Sequence, residues 1–415
     1  MKRRLITLAL TLSIMTSCSG HELWYKIENL SSLAKKEDIP SKDDSGEEQA
    51  SGKWQAIADS SLFVLTENFL NKDKGYFWST PQDIAKSSGN IYWQQAHAMD
   101  VIISAYSRIK DTRPERAGTY RRYMELWFTN YANNYNTSRR SEGVYGGFFN
   151  AYTDDMCWIC LTLCHISEAL GDDKYIQTAK EVYDSYIIPR LKTDEKGSGL
   201  PWTDIADKQG RNSCTNAPGC CLAAKLHAKF GEKKYLDDAL TLYSYMTNNN
   251  VKTDFRCEEP PLTYTQGTFG EACRLLYHIT GDRFCMDMAF NVINYAFTSS
   301  RCNSREGILR NEGTSMDQSI FKAVLIPYTV NLIMDSSLDK ESRAMLKEHL
   351  LRNGEALYRS LDRSSYPQMY ANYYWGSTWQ PAQSAPYASM GAQVSGASLM
   401  EGMARLEQND NESEN

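Results

Sequence analysis

The chain has 415 residues, 42% of them hydrophobic, so it can bury a large core in two or three domains or in one toroid or barrel. Its 45 basic and 51 acidic residues are spread along the sequence, and no basic stripe interleaves with aromatic residues, which argues against nucleic acid as a partner. The 26 Tyr, 9 Trp and 13 Phe are more telling. Many stand in loops rich in glycine and asparagine, where flat rings suit stacking on sugar faces as well as ordinary packing.

The first residues have the pattern of an export signal. Basic residues at 2–4 precede an apolar run over 5–15, which is too short to span a bilayer as a helix. The run ends in Met15-Thr16-Ser17-Cys18, which resembles a bacterial lipobox. We therefore predict that residues 1–18 are a lipoprotein signal peptide and that Cys18 carries the lipid anchor. The expected location is the bacterial cell envelope, on the periplasmic or surface face of the outer membrane.

Polar segments flank the part of the chain that is expected to fold. Residues 19–52 have few apolar positions and are predicted to be a disordered tether. Residues 408–415 are predicted to be a polar tail, which leaves 53–407 as one folded domain.

Ten cysteines remain besides Cys18. Cys157, Cys160 and Cys164 follow at i, i+3 and i+7, on one face of one helix, where disulfides seldom form. We expect most of the ten to be small core residues, with a disulfide from Cys257 or Cys302 left open. No second Cys or His pair stands at zinc-like spacing from Cys157-x-x-Cys160, so no metal site is predicted.

Apolar periodicity predicts helices almost throughout, and no alternating strand pattern competes with them. The twelve predicted helices are 54–71, 91–109, 116–136, 154–170, 172–190, 214–230, 232–249, 264–280, 282–300, 317–336, 340–361 and 389–406. A repeat supports the count, since Gly171, Gly231 and Gly281 each stand between one helix and a returning helix, where glycine suits a left-handed helix end. The pattern predicts an all-α fold, an (α/α)6 toroid of six helical hairpins.

The predicted connections are asymmetric. Those that leave even-numbered helices are short, whereas those that enter them are long and rich in Trp, Tyr, Gly and carboxylates. In a toroid all even-numbered helices begin at the same end, so the long loops should gather there around one cleft. Long loops in a compact domain are usually functional.

Asp154 and Asp155 stand at that end, directly after a loop of glycines and aromatic residues. Asp is also favoured at helix N-termini, so the pair is either a helix cap or the centre of an active site. Glycosidases use two carboxyl groups, held roughly 5–5.5 Å apart in retaining enzymes and farther apart in inverting ones. Adjacent residues, with Cα atoms about 3.8 Å apart, suit the retaining distance. An inverting pair of Asp155 with Asp204 or Glu312 is the competing arrangement.

Several motifs together point to one known family. They are Tyr92-Trp-Gln-Gln-Ala-His-Ala-Met-Asp100, Tyr152-Thr-Asp-Asp-Met-Cys-Trp158, Gly199-Leu-Pro-Trp202, Arg211-Asn-Ser-Cys-Thr-Asn216, Thr263-Tyr-Thr-Gln-Gly267 and Gly307-Ile-Leu-Arg310 with Phe321-Lys322. With them the chain resembles glycoside hydrolase family 76, the α-1,6-mannanases with an (α/α)6 fold, over roughly residues 54–405. This resemblance implies a retaining mechanism with Asp154 as nucleophile and Asp155 as acid/base. Thr265 and Arg211 depart from the Asn and Lys that are usual in the family, which affects sugar contacts and leaves both acids in place.

The resemblance also implies a set of substrate-binding residues. They are Trp93, Gln94, Asp100, Tyr152, Trp202, Asn216, Tyr264 and Gln266. Several have a purely structural alternative: Trp202 as a plug of the toroid, Asp100 as a partner of core polar groups, Asn216 as a helix cap. Glu258 and Glu259, before two prolines, are interpreted as a solvated loop end.

The predicted function is hydrolysis of α-mannosidic bonds in mannan or manno-oligosaccharides by a monomer that needs no cofactor and contacts the membrane only through its anchor. Two alternatives share many of these features. One is a surface lipoprotein that binds glycans on aromatic platforms without catalysis, and the other is a transglycosylase that uses the same two acids.

Overall fold

The computed structural model describes residues 52–81, 92–133, 143–383 and 386–414, and twelve α-helices lie in these ranges. The helices are α1 Lys53–Phe69, α2 Tyr92–Ile109, α3 Pro114–Trp127, α4 Thr153–Leu170, α5 Asp173–Val182, α6 Ser213–Phe230, α7 Lys233–Tyr245, α8 Thr263–Thr280, α9 Arg283–Thr298, α10 Met316–Met334, α11 Lys340–Ser360 and α12 Met390–Glu414. The predicted all-α fold and the twelve helices are confirmed.

The even-numbered helices form the inner layer. Each packs against the next, from α2 through α4, α6, α8 and α10 to α12, and α12 packs against α2, so the contacts close into a ring. Small residues allow this close packing. A Cβ atom on Gly267 of α8 would lie 2.6 Å from the Cα atom of Leu325 on α10, and on α12 the Ser395 hydroxyl donates to the Ser319 carbonyl of α10 at 2.8 Å.

The odd-numbered helices lie outside this ring. From α1 to α9 each packs mainly on one even-numbered neighbour, whereas α11 packs on both α10 and α12. The turns at Gly171, Gly231 and Gly281 have φ values of 66°, 68° and 74°, the left-handed conformation that glycine adopts without strain. The predicted short turns between α4 and α5, α6 and α7, and α8 and α9 are therefore confirmed.

Charged side chains join the two ends of the chain within the ring. Arg108 of α2 donates to Glu401 of α12 through Nε at 2.8 Å and to Asp59 of α1 through Nη2 at 2.8 Å. All three side chains are at most 4% exposed. This buried cluster holds α1, α2 and α12 together.

Two features differ from the prediction. A short antiparallel hairpin, β1 Lys192–Asp194 with β2 Gly197–Gly199, stands in the loop before α6. Its three-residue strands are too short to show an alternating pattern. The helix end predicted at 406 is also too early, because α12 continues to Glu414 through residues predicted as a polar tail. This segment has no glycine or proline to stop a helix, and Asp410 pairs with Lys347 of α11 at 2.6 Å.

The ten cysteines from Cys157 to Cys302 are free and buried, as predicted for small core residues, and this includes Cys257 and Cys302. Within the described ranges, no three His, Cys, Asp or Glu side chains group as metal ligands. None of the helices described is long and apolar enough to cross a membrane. Cys18, the signal peptide and most of the tether lie outside the described residues.

Candidate active site

A cleft of about 810 Å³ opens at the end of the ring where the even-numbered helices begin. The first turns of α2, α4, α6, α8 and α10 line it, together with the loops that precede α4, α6 and α8. The predicted gathering of these loops is therefore observed. Two other long loops that enter even-numbered helices were expected there as well, residues 307–313 before α10 and residues 370–379 before α12, and neither lines the cleft.

Asp154 and Asp155 lie side by side in the first turn of α4, within the cleft. The segment that carries them is held by the loop before α6: the Thr153 amide donates to the Trp202 carbonyl at 2.8 Å, and the Asp204 amide donates to the Ala151 carbonyl at 3.1 Å. This pairing fixes the start of α4 and brings Trp202 over the acids.

Asp154 is 9% exposed and has only neutral partners. Its Oδ2 atom accepts hydrogen bonds from Trp202 Nε1 at 3.1 Å and from Cys214 Sγ at 3.4 Å. Its Oδ1 atom has no partner among the described residues. Burial raises the pKa of Asp154 to about 7, and the hydrogen bonds from Cys214 and Trp202 oppose that rise only in part.

Asp155 accepts one hydrogen bond, from Asn150 Nδ2 to Oδ2 at 2.8 Å. Burial raises the pKa of Asp155 well above its usual range, and the charge of Asp154 raises it further. Asn150 is oriented in turn, since its Oδ1 accepts from the Tyr152 amide at 3.1 Å. Two adjacent acids with raised pKa values can hold one proton between them near neutral pH.

Aromatic rings form two walls of the cleft. On one side Tyr264 stacks on Phe321 with ring centroids 4.3 Å apart, and Trp93 stacks on the same Phe321 at 6.1 Å. On the other side Tyr152 lies 5.1 Å from Trp202. Of the predicted binding residues, the structure thus brings Trp93, Tyr152, Trp202 and Tyr264 to the cleft, together with Gln94. Trp202 lines the cleft, so the purely structural alternative, in which it fills the centre of the toroid, does not fit its position.

Three further carboxylates line the cleft, those of Glu258, Glu259 and Asp317, and sequence reasoning missed the place of Glu258 and Asp317. Asp317, at the start of α10, accepts a hydrogen bond from Trp93 Nε1 at 3.0 Å and one from Gln94 Nε2. Glu258 was interpreted as part of a solvated loop end, and that interpretation is wrong. Its side chain lines the cleft, and burial, followed by the charge of Asp154, raises its pKa to about 7. Neither residue carried a sequence signal beyond its place near the start of an even-numbered helix.

Asp100 lies outside the cleft, which corrects its prediction as a binding residue. It lines a second cavity of about 440 Å³, formed by the later turns of α2, α4, α10 and α12 at the opposite end of the ring. Its carboxylate contacts His97 at 3.3 Å and His165 at 2.9 Å, and Thr162 donates to it at 3.1 Å. Asp100 is therefore the partner of core polar groups that the alternative interpretation described.

Asn216 and Gln266 also lie outside the cleft and need the same correction. Asn216 brackets the loop before α6: its Nδ2 donates to the Leu200 carbonyl at 3.0 Å and its Oδ1 accepts from the Leu200 amide at 2.8 Å. Gln266 is fully buried and donates through Nε2 to the carbonyls of Phe255 and Val292, at 3.0 and 2.6 Å. Both side chains support the loops that form the cleft.

The competing inverting pairs do not form at this cleft. Asp204 pairs with Arg190 at 3.4 Å, and Glu312 accepts from the Thr263 amide at 2.8 Å at the start of α8. Neither of these side chains lines the cleft. The adjacent acids Asp154 and Asp155 are thus the pair that the geometry favours.

The raised pKa of Asp154 predicts a pH-dependent gain in stability on Asp154→Asn. The folded-state pKa of about 7 lies above the unfolded value, so the wild-type protein loses free energy of unfolding relative to the variant as pH rises from about 4 through about 7. Urea denaturation from about pH 4 to about pH 8 measures the difference. Asp173→Asn, which changes an exposed carboxylate in the first turn of α5, is the matched control. A constant difference between Asp154→Asn and wild type across this range would contradict the prediction.

One family model and several solved structures match this chain. The family model described as glycosyl hydrolase family 76 matches residues 55–412. No curated protein sequence matches the chain.

Solved structures share the fold at low sequence identity. An inactive variant of an α-1,6-mannanase of Salegentibacter sp. HEL1_6, with two aspartates changed to alanine and α-1,6-mannotetrose bound, is 21% identical with a TM-score of 0.71, over 86% of this chain and 100% of that one. A family 76 mannosidase of Bacteroides thetaiotaomicron is 16% identical with a TM-score of 0.68, over 86% and 100%. Dfg5 of Chaetomium thermophilum, solved with glucosamine, is 13% identical with a TM-score of 0.65, over 86% and 92%.

Proposed function

The chain belongs to glycosyl hydrolase family 76, and on that premise we propose that it hydrolyses α-mannosidic bonds, α-1,6 bonds in particular, with retention of configuration. One observation carries the proposal. Asp154 and Asp155 are adjacent carboxyl groups at the start of α4, in a cleft walled by aromatic rings, and both have raised pKa values. Two carboxyl groups at short separation are the machinery of a retaining glycosidase.

We assign the nucleophile to Asp154. The hydrogen bonds from Trp202 and Cys214 stabilise its charged form and fix the direction of one oxygen. The charge of Asp154 raises the pKa of Asp155, so Asp155 keeps its proton while Asp154 is charged. Attack on the anomeric carbon forms a covalent mannosyl ester at this carboxylate.

We assign the acid/base role to Asp155. Burial and the charge of Asp154 keep it protonated, ready to donate its proton to the glycosidic oxygen as the bond breaks. Formation of the ester removes the negative charge of Asp154, which removes one cause of the raised pKa. Asp155 can then act as the base that takes a proton from the incoming water.

Stacking surfaces support sugar binding next to these acids. The faces of Trp93 and Tyr264 on one wall, and of Tyr152 and Trp202 on the other, offer apolar area to pyranose rings. The mannanase of Salegentibacter was solved with α-1,6-mannotetrose and with α-1,6-mannotriose, in variants inactivated at two aspartates. These complexes support mannan as the substrate class of this chain.

A product assay tests the proposal. Purified protein is incubated with α-1,6-mannan, and proton NMR follows the first anomer to form. We expect α-anomers of mannose or manno-oligosaccharides, because two inversions restore the starting configuration. A β-anomer as first product would overturn retention, binding without release of sugar would favour a glycan-binding protein, and longer chains as products would indicate transglycosylation.

The location of the protein stays a separate proposal, namely an envelope lipoprotein anchored through Cys18. Cys18→Ser in the full chain is expected to abolish lipid labelling of the protein and to move it from the membrane to the soluble fraction. An unchanged membrane fraction and unchanged labelling would contradict the anchor. The monomeric state likewise stays a prediction, and sedimentation measures it.

A further inference from the structure

We propose that the cleft selects glycans by charge: it accepts uncharged mannosyl chains and rejects chains that carry phosphate or carboxylate groups on the units inside it. The inference rests on the proposed function and narrows its substrate class. The observation behind it is the composition of the walls. Among the described residues that line the cleft, five are Asp or Glu and none is Lys, Arg or His.

Four of the five acids have no cationic partner. Asp154 and Asp155 accept hydrogen bonds only from neutral groups, and Asp317 accepts from the indole of Trp93 and the amide of Gln94. Glu258 has its pKa raised by burial and by Asp154, with no cation acting against either cause. The cleft gains negative charge as pH rises through about 7, where Asp154 and Glu258 ionise, and no residue that lines the cleft compensates that charge.

The fifth acid, Glu259, differs from its neighbour Glu258 in having cationic partners. Glu259 is exposed, and Arg301 donates to it at 2.9 Å while Arg256 lies 3.3 Å away. Its charge is neutralised where it stands.

Cations of the neighbouring loops are engaged elsewhere. Arg190 donates to the carbonyls of Ala151 and Asn150, behind the start of α4, at 3.0 and 2.7 Å. Arg211 is paired with Asp194 of β1 and donates to the Gly197 carbonyl at 2.6 Å. They brace the loops on which the cleft is built, and neither lines it.

The physical consequence depends on the charge of the sugar. Carboxyl groups accept hydrogen bonds from sugar hydroxyls, and a protonated one such as Asp155 also donates, so neutral chains find partners at all four acids. An anionic group in the same place meets like charges across low-dielectric walls, where the field is focused and weakly screened. Uncompensated like charge is a common way to reject a wrong ligand. A cationic sugar suffers no such penalty.

Three α-1,6-mannotrioses test this inference. In the non-reducing unit, C6 is a neutral hydroxymethyl group in the first, an anionic carboxylate in the second and a cationic aminomethyl group in the third. For each, kcat/KM is measured with the wild-type protein and Kd by calorimetry, at about pH 8, above the pKa of about 7 of Asp154 and Glu258. We expect the carboxylate to be at least about tenfold worse than the neutral sugar by both measures, and the amine to be no worse. The gap should shrink as salt rises from about 0.05 M to about 0.5 M, because salt screens the repulsion.

Isosteric variants show which acids of the cleft cause the discrimination between neutral and anionic ligands. Glu258→Gln and Asp317→Asn each remove one charge and keep the shape, so each should narrow the ratio between neutral and anionic ligand, and the double variant should narrow it most. Glu259→Gln removes a charge that arginine already neutralises, so it should leave the ratio as in wild type.

The outcomes separate this inference from the function it rests on. Equal turnover of the neutral and anionic trioses, with no salt dependence of their ratio, would overturn charge selection and leave the hydrolase intact. Absence of turnover on all three trioses and on α-1,6-mannan would overturn the hydrolase, and the order of the three Kd values would still decide charge selection. A ratio that Glu259→Gln changes as much as Glu258→Gln would overturn the assignment to the uncompensated acids.

Discussion

Asp154→Asn and Asp155→Asn are each expected to lower the rate of sugar release from α-1,6-mannan by at least about 1000-fold. Asp154→Asn removes the nucleophile, and Asp155→Asn removes the proton donor for the leaving oxygen. Asparagine keeps the shape and can still accept the hydrogen bonds that Trp202 and Asn150 donate, so the fold should persist. Initial rates on mannan and far-UV circular dichroism check the two parts of this expectation.

A matched control uses another pair of adjacent aspartates at a helix start. Asp172 caps α5 by accepting from the Lys174 amide, and Asp173 follows it in the first turn, at the other end of the ring from the cleft. Asparagine also caps helices, so Asp172→Asn/Asp173→Asn should keep nearly the full rate. A comparable loss of rate in this variant would show that the effect is not specific to the cleft.

Azide distinguishes the roles of the two acids. With an aryl α-mannoside as substrate, azide can replace the missing carboxylate in Asp154→Ala and should yield a β-mannosyl azide. In Asp155→Ala it attacks the covalent intermediate and should yield an α-mannosyl azide. Exchange of these two products between the variants would reverse the assignment.

Arg108→Met is expected to destabilise the fold by about 3–5 kcal/mol. The guanidinium is buried between Glu401 and Asp59, and its loss leaves Glu401 as a buried carboxylate without its cation. Because the cluster joins α1, α2 and α12 where the ring closes, the whole domain should unfold at lower urea concentration.

Two further variants make this prediction specific. Arg121→Met breaks an exposed pair with Glu125 and should cost under about 1 kcal/mol. Arg108→Met/Glu401→Leu removes both partners, so it should recover part of the lost stability, since no buried charge is left unpaired there. Equal urea midpoints for Arg108→Met and wild type would show that the cluster does not hold the ring closed.

The helices and their order in hairpins could be predicted from the sequence, because both depend on residues that are close together in the chain. Apolar periodicity marks helices, and a glycine at Gly171, Gly231 or Gly281 ends one helix and allows the next to return. The alternation of short and long connections then placed Asp154 and Asp155 at the end of the ring where the cleft opens. The missed hairpin and the long α12 are cases where short or polar segments carry no periodic signal.

The residues of the site were harder to predict from the sequence, because the apolar periodicity of an inner helix does not show which of its side chains face the cleft. Inner helices are buried nearly all round, so no polar face marks the cleft. Gln266 follows Tyr264 by two residues, which turns it about 200° away from the cleft, and Asn216 follows Cys214 by the same step. Asp100 shares a face with Trp93 but lies about 10 Å deeper along α2.

The sequence by itself determined the helices, their hairpins and the two adjacent acids, since each is set by neighbours a few residues away. Only the tertiary structure decided what surrounds those acids. The indole of Trp202 reaches Asp154 from 48 positions away, and Glu258 and Asp317 arrive from other loops of the ring. Such contacts depend on how separate loops pack at the end of the ring, and that packing sets the burial that raises the pKa values of both acids.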